Sequence, residues 1–188
     1  MTTLAEFWDN ISGRLSCCSC PCCFTKVRRI EVTVSASESC STEDELGCTF
    51  NRSVSGATGT YTLVPRPAGA SPSDGTFDLE EATPNECLAS NTANKTFAVT
   101  GTDTWGGPDP PCLNDSDSVN EEHEAVVSVS VDCFGVGTAS VTVLGPFGGG
   151  VTLDLTAFGA SSSDSDIVSA GGCTTTVSAT VTVYDTDA

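Results

Sequence analysis

The sequence is poor in the residues on which catalysis and nucleic-acid binding most often depend. It contains one histidine, one methionine, and seven lysines and arginines against 25 aspartates and glutamates, which gives a net charge of −18. Because an acidic surface repels nucleic acid, a nucleic-acid partner is not expected. No apolar run approaches the ~20 residues that a transmembrane helix requires, so no membrane span is expected either.

Two kinds of sequence signal are also missing. The first 16 residues carry Glu6, Asp9 and Arg14 among their apolar residues, which does not fit a basic segment followed by an apolar core, so we expect no secretory signal peptide. Neither a Gly-rich phosphate loop nor a nucleophile elbow occurs. The single histidine, His123, is interpreted as part of a solvated acidic run, although a histidine beside carboxylates can also act as a base or ligand. The chain is therefore predicted not to be an enzyme.

The abundant residues are threonine, serine, valine, alanine and glycine, which suit short β-strands. Apolar and polar residues alternate in several segments, and about eight strands separated by short turns are predicted. Predicted strands include Ile30–Val34 and Thr60–Val64, and the clearest ones lie in the last third of the chain, at Val127–Cys133, Thr138–Val143, Val151–Leu155 and Val177–Val183. This pattern predicts an all-β fold, an antiparallel β-sandwich of the jelly-roll or Ig-like kind, over residues 28–188.

Polar or Gly- and Pro-rich segments are predicted to be loops. They are residues 36–48, 65–75, 84–94, 101–123 and 160–166. The longest, 101–123, contains Trp105 among glycines and prolines. A long irregular segment is often functional, and Trp105 is a candidate for stacking on a sugar ring. The alternative is that Trp105 covers one end of the core.

Residues 1–16 are predicted to form a short amphipathic helix. Thr3 and Glu6 have the spacing of a capping box. The apolar residues of one helical face are Leu4, Phe7, Trp8, Ile11 and Leu15. Because so short a helix is marginal alone in water, its apolar face is expected to pack on the β-body, another copy or a different protein. Arg28 and Arg29, close to the following segment, are predicted to belong to the same interface.

Residues 17–27 form a cysteine-rich neck, with five of the chain's 11 cysteines between positions 17 and 23. Three interpretations stay open. The C-x₂-C spacings predict a zinc site, with the candidate ligands Cys17, Cys20, Cys22 and Cys23. The cysteines can instead form disulfides with other copies or with the cysteines further along the chain. S-acylation beside the helix is a third option.

Calcium is the other cofactor considered, since the acidic residues include several D-x-D pairs. Asp115 and Asp117 together with Glu121 are the candidate calcium ligands, because Ca²⁺ prefers several oxygen ligands on a flexible loop. None of the pairs completes an EF-hand pattern.

The order of several short motifs resembles a known group of proteins. The motifs are Cys22-Cys23, the run from Arg28 to Val34, Cys48, Gly59–Leu63, and the late cysteines Cys133 and Cys173. The order is similar to that of uncharacterised β-rich proteins encoded among tail and other virion genes of phages and prophages from planctomycete-like and marine bacteria. The resemblance implies a virion role and no catalytic residues.

The sequence thus predicts a structural or accessory protein of an extracellular assembly. A phage virion, as tail or capsid decoration, is the expected setting. The N-terminal segment would anchor the protein to other copies or to other virion proteins. The alternative is a module that binds carbohydrate or a host surface, with or without calcium.

Overall fold

The computed structural model describes residues 27–66, 69–71, 73, 75–77, 80–81, 88–108, 110–132, 134–145 and 148–186. Within these ranges the chain is all-β, as predicted, and contains no helix. The predicted N-terminal helix and all but the last residue of the predicted neck lie outside the described residues. The described part of the chain has no helix that is long and apolar enough to cross a membrane.

Eleven strands make up the described part of the chain. They are β1 (Arg29–Glu43), β2 (Thr49–Ala57), β3 (Tyr61–Pro65), β4 (Thr76–Phe77), β5 (Glu80–Glu81), β6 (Leu88–Gly106), β7 (Asp115–Asp132), β8 (Gly137–Leu144), β9 (Gly149–Leu155), β10 (Ser161–Ala170) and β11 (Cys173–Tyr184).

The strands pair into one sheet. The main order is β10-β11-β1-β2-β6-β7-β8-β9, all antiparallel. Strand β3 pairs with β1 and, in parallel, with β4, which makes the sheet mixed rather than purely antiparallel. Strand β5 pairs with β6. Strand β9, at one end of this order, also lies against β10 and β11 at the other end, so the sheet folds back around its apolar face.

The apolar core explains why the alternating segments form strands. In β1 the side chains of Ile30, Val32, Val34 and Ala36 are buried, and the intervening residues are half-buried. Val32 lies opposite the buried Val181 of β11. This register places the apolar side chains of each strand on the same face of the sheet. Fully burying one such side chain stabilises the fold by about 1.5–3 kcal/mol. The alternation predicted for the strands from Ile30 and from Val127, Thr138, Val151 and Val177 is confirmed.

Several loop predictions were wrong, because strands continue through polar sequence. Strand β1 runs to Glu43, through most of the segment 36–48. Strand β6 begins at Leu88, within the segment 84–94, and β10 occupies most of the segment 160–166. In β10 and β11 the hydroxyl groups pair across the strands, as between Ser161 and Thr182 at 2.8 Å. Cross-strand hydroxyl pairs of this kind stabilise a sheet without an apolar face.

The segment 101–123 shows the largest difference from its prediction. Residues 101–106 complete β6 and residues 115–123 begin β7, so the irregular part is only 107–114. This loop contains a cis peptide bond between Pro110 and Pro111.

Two disulfides link strands and loops of this sheet. Cys40 of β1 is bonded to Cys173, which lies opposite it on β11. Cys48, at the end of the β1–β2 turn, is bonded to Cys112 in the loop between β6 and β7. Disulfides persist in oxidising, extracellular-type environments, and these two fit such a setting.

Candidate functional site

The candidate site lies at one end of the long ribbon that β6 and β7 form. These strands pair continuously from Leu88 opposite Asp132 to Trp105 opposite Asp115. The last part of the ribbon extends past the buried valines, and β2 pairs with the same part of β6. At this end of β2, β6 and β7, the positions that face the core are occupied by charged and aromatic side chains.

A cluster of four charged side chains follows the apolar core, with Arg52 of β2 at its centre. The Arg52 guanidinium is 2.9 Å from Glu38, 3.3 Å from Asp103 and 2.7 Å from Glu121. It donates to both carboxylate oxygens of Glu121 at 2.7 Å. The Arg52 side chain is 15 % exposed. Both bonds come from one guanidinium nitrogen, and the Glu121 side chain is 32 % exposed. This partly buried contact links four strands, because the partners of Arg52 lie on β1, β6 and β7.

The charges of this cluster shift two pKa values. The hydrogen bond from Arg52 and the guanidinium charge lower the pKa of Glu121 below its ordinary value, and burial opposes them. The pKa of Arg52 is raised, first by the hydrogen bond to Glu121 and also by the three carboxylates. Both shifts favour the charged forms of Arg52 and Glu121.

His123 lies on the core side of this cluster and is buried, which contradicts its interpretation as part of a solvated acidic run. It occupies a core-facing position of β7, two residues before the fully buried Ala125. Its ring lies 6.0 Å from the ring of Phe97, and its Nε2 is 3.6 Å from a carboxylate oxygen of Glu121. A Cβ atom on Gly145 would come within 2.5 Å of His123 Nδ1, so the chain can pass over the ring only because residue 145 is glycine. Period-two burial, rather than the charge of its neighbours, decides the position of His123.

Beyond the charged cluster lies an open concavity of about 460 Å³. Its apolar side chains are Leu46, Trp105 and Leu113, which are 65 %, 39 % and 82 % exposed. Three carboxylates lie on its wall, from Asp44, Asp115 and Asp117. The volume is within the range of about 300–1,000 Å³ that is typical of ligand sites.

Trp105 is held in this concavity by its neighbours on both sides. It pairs with Phe50 on β2 and with Asp115 on β7. The Phe50 and Trp105 rings are 5.5 Å apart and tilted by 46°, within the usual range for aromatic pairs. The indole is thus packed on one side and accessible on the other.

The β1–β2 turn forms the opposite wall and is built by Asp44. The Asp44 carboxylate accepts hydrogen bonds from the backbone N–H groups of Leu46 and Cys48, both at 2.9 Å. Gly47 adopts φ +80°, a conformation that favours glycine. The Cys48–Cys112 disulfide then joins this turn to the 107–114 loop. A Cβ atom on Gly107 would lie 2.6 Å from Cys112 Sγ, so this close approach also requires glycine.

The structure brings together some of the predicted site residues and separates others. Trp105, Asp115 and Asp117 line one concavity, whereas the carboxylate of Glu121 is bound to Arg52. The three predicted calcium ligands therefore do not meet, and the described part of the chain holds no group of three or more His, Cys, Asp or Glu side chains placed to bind a metal ion.

The predicted interface residues are only partly described. Arg28 and Arg29 lie at the other end of β1 from the concavity, where Arg29 stacks on Tyr184 with 3.9 Å from the guanidinium carbon to the ring centre. The candidate zinc ligands Cys17, Cys20, Cys22 and Cys23 lie outside the described residues. So do the apolar interface residues Leu4, Phe7, Trp8, Ile11 and Leu15.

The sequence predictions missed Asp44, Leu46, Leu113 and Arg52. A turn signal for Asp44 was present, since an Asp followed three residues later by Gly47 is a common turn pattern. Arg52 is one of three basic residues after position 36, and a lone arginine in so acidic a body is a candidate for a carboxylate cluster.

The comparisons with known proteins give no relative. No family model, no curated protein and no solved structure matches the chain significantly.

Proposed function

We propose that this protein is a structural or accessory component of an extracellular assembly. The observation that supports this most is the pair of disulfides, because they fit an oxidising setting and fix both the sheet and its distal loops. The strongly acidic body keeps such a protein soluble while one segment makes contacts. We further propose that the folded-back sheet is a β-sandwich of the jelly-roll or Ig-like kind, because its two ends enclose one core.

The assembly is proposed to be a phage virion, with the protein as a tail component or a capsid decoration. The resemblance of the sequence to virion-associated β-rich proteins supports this setting. The N-terminal segment would attach the protein to its neighbours through its apolar residues and through the basic groups Arg14, Lys26, Arg28 and Arg29, which would face an acidic partner surface.

Deletion of residues 1–24 tests this role. Val27 is a buried core residue and the first strand begins at Arg29, so the shortened chain keeps its core. We expect it to fold with an unchanged thermal transition and to lose assembly in sedimentation velocity. Normal assembly of the shortened chain would contradict the proposed anchor.

A second candidate function is the binding of a surface glycan. A specific observation favours it, namely the accessible face of Trp105 in a concavity with Asp115 and Asp117. Sugar rings stack on aromatic faces and their hydroxyl groups donate to carboxylates. Calcium would be an optional addition through the same carboxylates.

Trp105→Ala on a glycan array tests this second function. We expect the variant to lose binding to any glycan that the wild-type protein retains. Leu144→Ala is a suitable control, because Leu144 is also exposed, at 47 %, on a different strand. Unchanged glycan binding by the Trp105 variant would remove the main support for a sugar site.

A further inference from the structure

We infer that the Trp105 concavity is the acceptor site for the N-terminal segment of a second copy, so that copies join head to tail. This inference rests on the proposed assembly role and names the surface that receives the segment. The concavity is here defined as the surface lined by Leu46, Trp105 and Leu113 with the carboxylates of Asp44, Asp115 and Asp117.

The first observation is that the N-terminal segment joins the body at one end of β1 and the concavity lies at the other end. The chain enters the body at Val27, beside the end of β11, where the Arg28 N–H donates to the Tyr184 carbonyl at 2.8 Å. Strand β1 then runs for 15 residues, and Asp44 of the concavity follows its last residue. At about 3.3 Å per residue, a straight strand of this length spans about 50 Å. The donor segment therefore leaves one end of the body and the acceptor lies at the other.

This separation favours a neighbouring copy over the same chain. A segment that folded back on its own body would have to order its neck along the whole of β1, at a cost in conformational entropy for every residue. A second copy stacked end to end needs to order only the part that enters the concavity. A contact between two different surfaces is heterologous, and it propagates into a ring or a filament.

The second observation is chemical complementarity. The segment before the body carries five large apolar residues at the spacing of one helical face, Leu4, Phe7, Trp8, Ile11 and Leu15. Residues 14–28 contain three basic groups and no acidic one. The concavity offers the matching surfaces, since its apolar side chains are exposed and its three charged side chains are all carboxylates. An apolar anchor with a cationic flank fits this surface better than a neutral or anionic ligand does.

A mixing experiment tests the inference, with two variants that each retain one half of the contact. The donor-deficient chain lacks residues 1–24, and the acceptor-deficient chain is the full chain with Trp105→Ala and Leu113→Ser. Each variant alone should be monomeric in sedimentation velocity under non-reducing conditions. An equimolar mixture should form a dimer and nothing larger, because only one donor and one acceptor remain.

The control is Ile167→Ser in the full chain, since Ile167 is 64 % exposed on β10 and does not line the concavity. It should assemble like the wild type. The acceptor substitutions should weaken assembly by at least about tenfold, since burial of one large apolar side chain accounts for that much. Asp115→Asn with Asp117→Asn should weaken assembly at low salt and reduce its dependence on salt.

Three outcomes would overturn the inference. If the acceptor-deficient chain assembles normally while the donor-deficient chain does not, the segment binds elsewhere, and the assembly role survives without this acceptor. If the full chain is a monomer in which the segment occupies its own concavity, no head-to-tail contact exists. If the concavity binds a glycan and its loss leaves assembly unchanged, the second candidate function is correct instead.

Discussion

At the scale of single residues, Arg52 is the clearest structural determinant in the charged region. It neutralises part of a surface that would otherwise contain Glu38, Asp103 and Glu121 side by side. Each of these carboxylates lies on a different strand, so their repulsion would act directly against the strand pairing. The polar half of the ribbon therefore depends on one cation.

Arg52→Met should lower the free energy of unfolding by about 3 kcal/mol, because it leaves three partly buried carboxylates without their shared counter-ion. Urea denaturation followed by circular dichroism measures this change. Arg28→Met is the matched control, since Arg28 is exposed, and it should change the stability by less than about 0.5 kcal/mol. Equal stability of the two variants would contradict the structural role of the cluster.

Glu121 makes a separate prediction about pH. Its folded-state pKa is lowered from the ordinary value of 4.5, chiefly by the hydrogen bond from Arg52. A carboxylate of this kind adds stability above its unfolded pKa and loses it as the pH falls through the lower folded pKa.

Glu121→Gln should therefore reduce the loss of stability between neutral pH and about pH 3. The measurement is the free energy of unfolding of the wild type and the variant at several pH values. Glu122→Gln is the control, because Glu122 is exposed on the other face of β7. If the stability of the variant falls as steeply with acid as that of the wild type, Glu121 does not contribute to the acid-dependent loss of stability.

At the scale of elements, the alternating strands could be predicted and the polar ones could not. The segments that begin at Ile30, Val127, Val151 and Val177 bury every second side chain, so their period is visible in the sequence. In β10 both faces are mostly exposed, so its residues show no alternation. Its pairing with β11 depends on backbone hydrogen bonds and hydroxyl contacts that composition does not show.

The candidate site also depends on contacts that the sequence alone does not show. Trp105 was predicted as a site residue because it lies in a long segment among glycines and prolines, and Asp115 and Asp117 because they form a D-x-D pair. Their placement on paired strands rather than on a loop depends on the register of β6 with β7. The partners Asp44 and Leu46 come from a turn about 60 residues earlier. Only the tertiary pairing of β2 with β6 and the Cys48–Cys112 disulfide bring them to the concavity.

The two disulfides should have different effects when they are removed. Cys40–Cys173 closes a separation of 133 residues, and its replacement by two alanines should cost about 2–5 kcal/mol of global stability. Cys48–Cys112 ties a loop to a turn at the edge of the fold. Its replacement should mainly raise the amide exchange rate of residues 107–114, as measured by hydrogen–deuterium exchange. Unchanged exchange in this loop would show that the disulfide does not hold the concavity in place.

At the scale of the whole molecule, the body has two different ends. One carries Arg28 and Arg29 and receives the chain from the N-terminal segment. The other carries an exposed apolar concavity with carboxylates on its wall. The exposed apolar side chains at this end are the basis of the acceptor site proposed above.

The most direct test of the assembly role is the native mass of the full-length protein under non-reducing, metal-retaining conditions. We expect an oligomer or a complex with other particle proteins, and we expect it to dissociate when residues 1–24 are removed. A monomer with stoichiometric zinc or calcium, and with the same mass after this deletion, would contradict the assembly role. That result would favour a metal-dependent binding module instead.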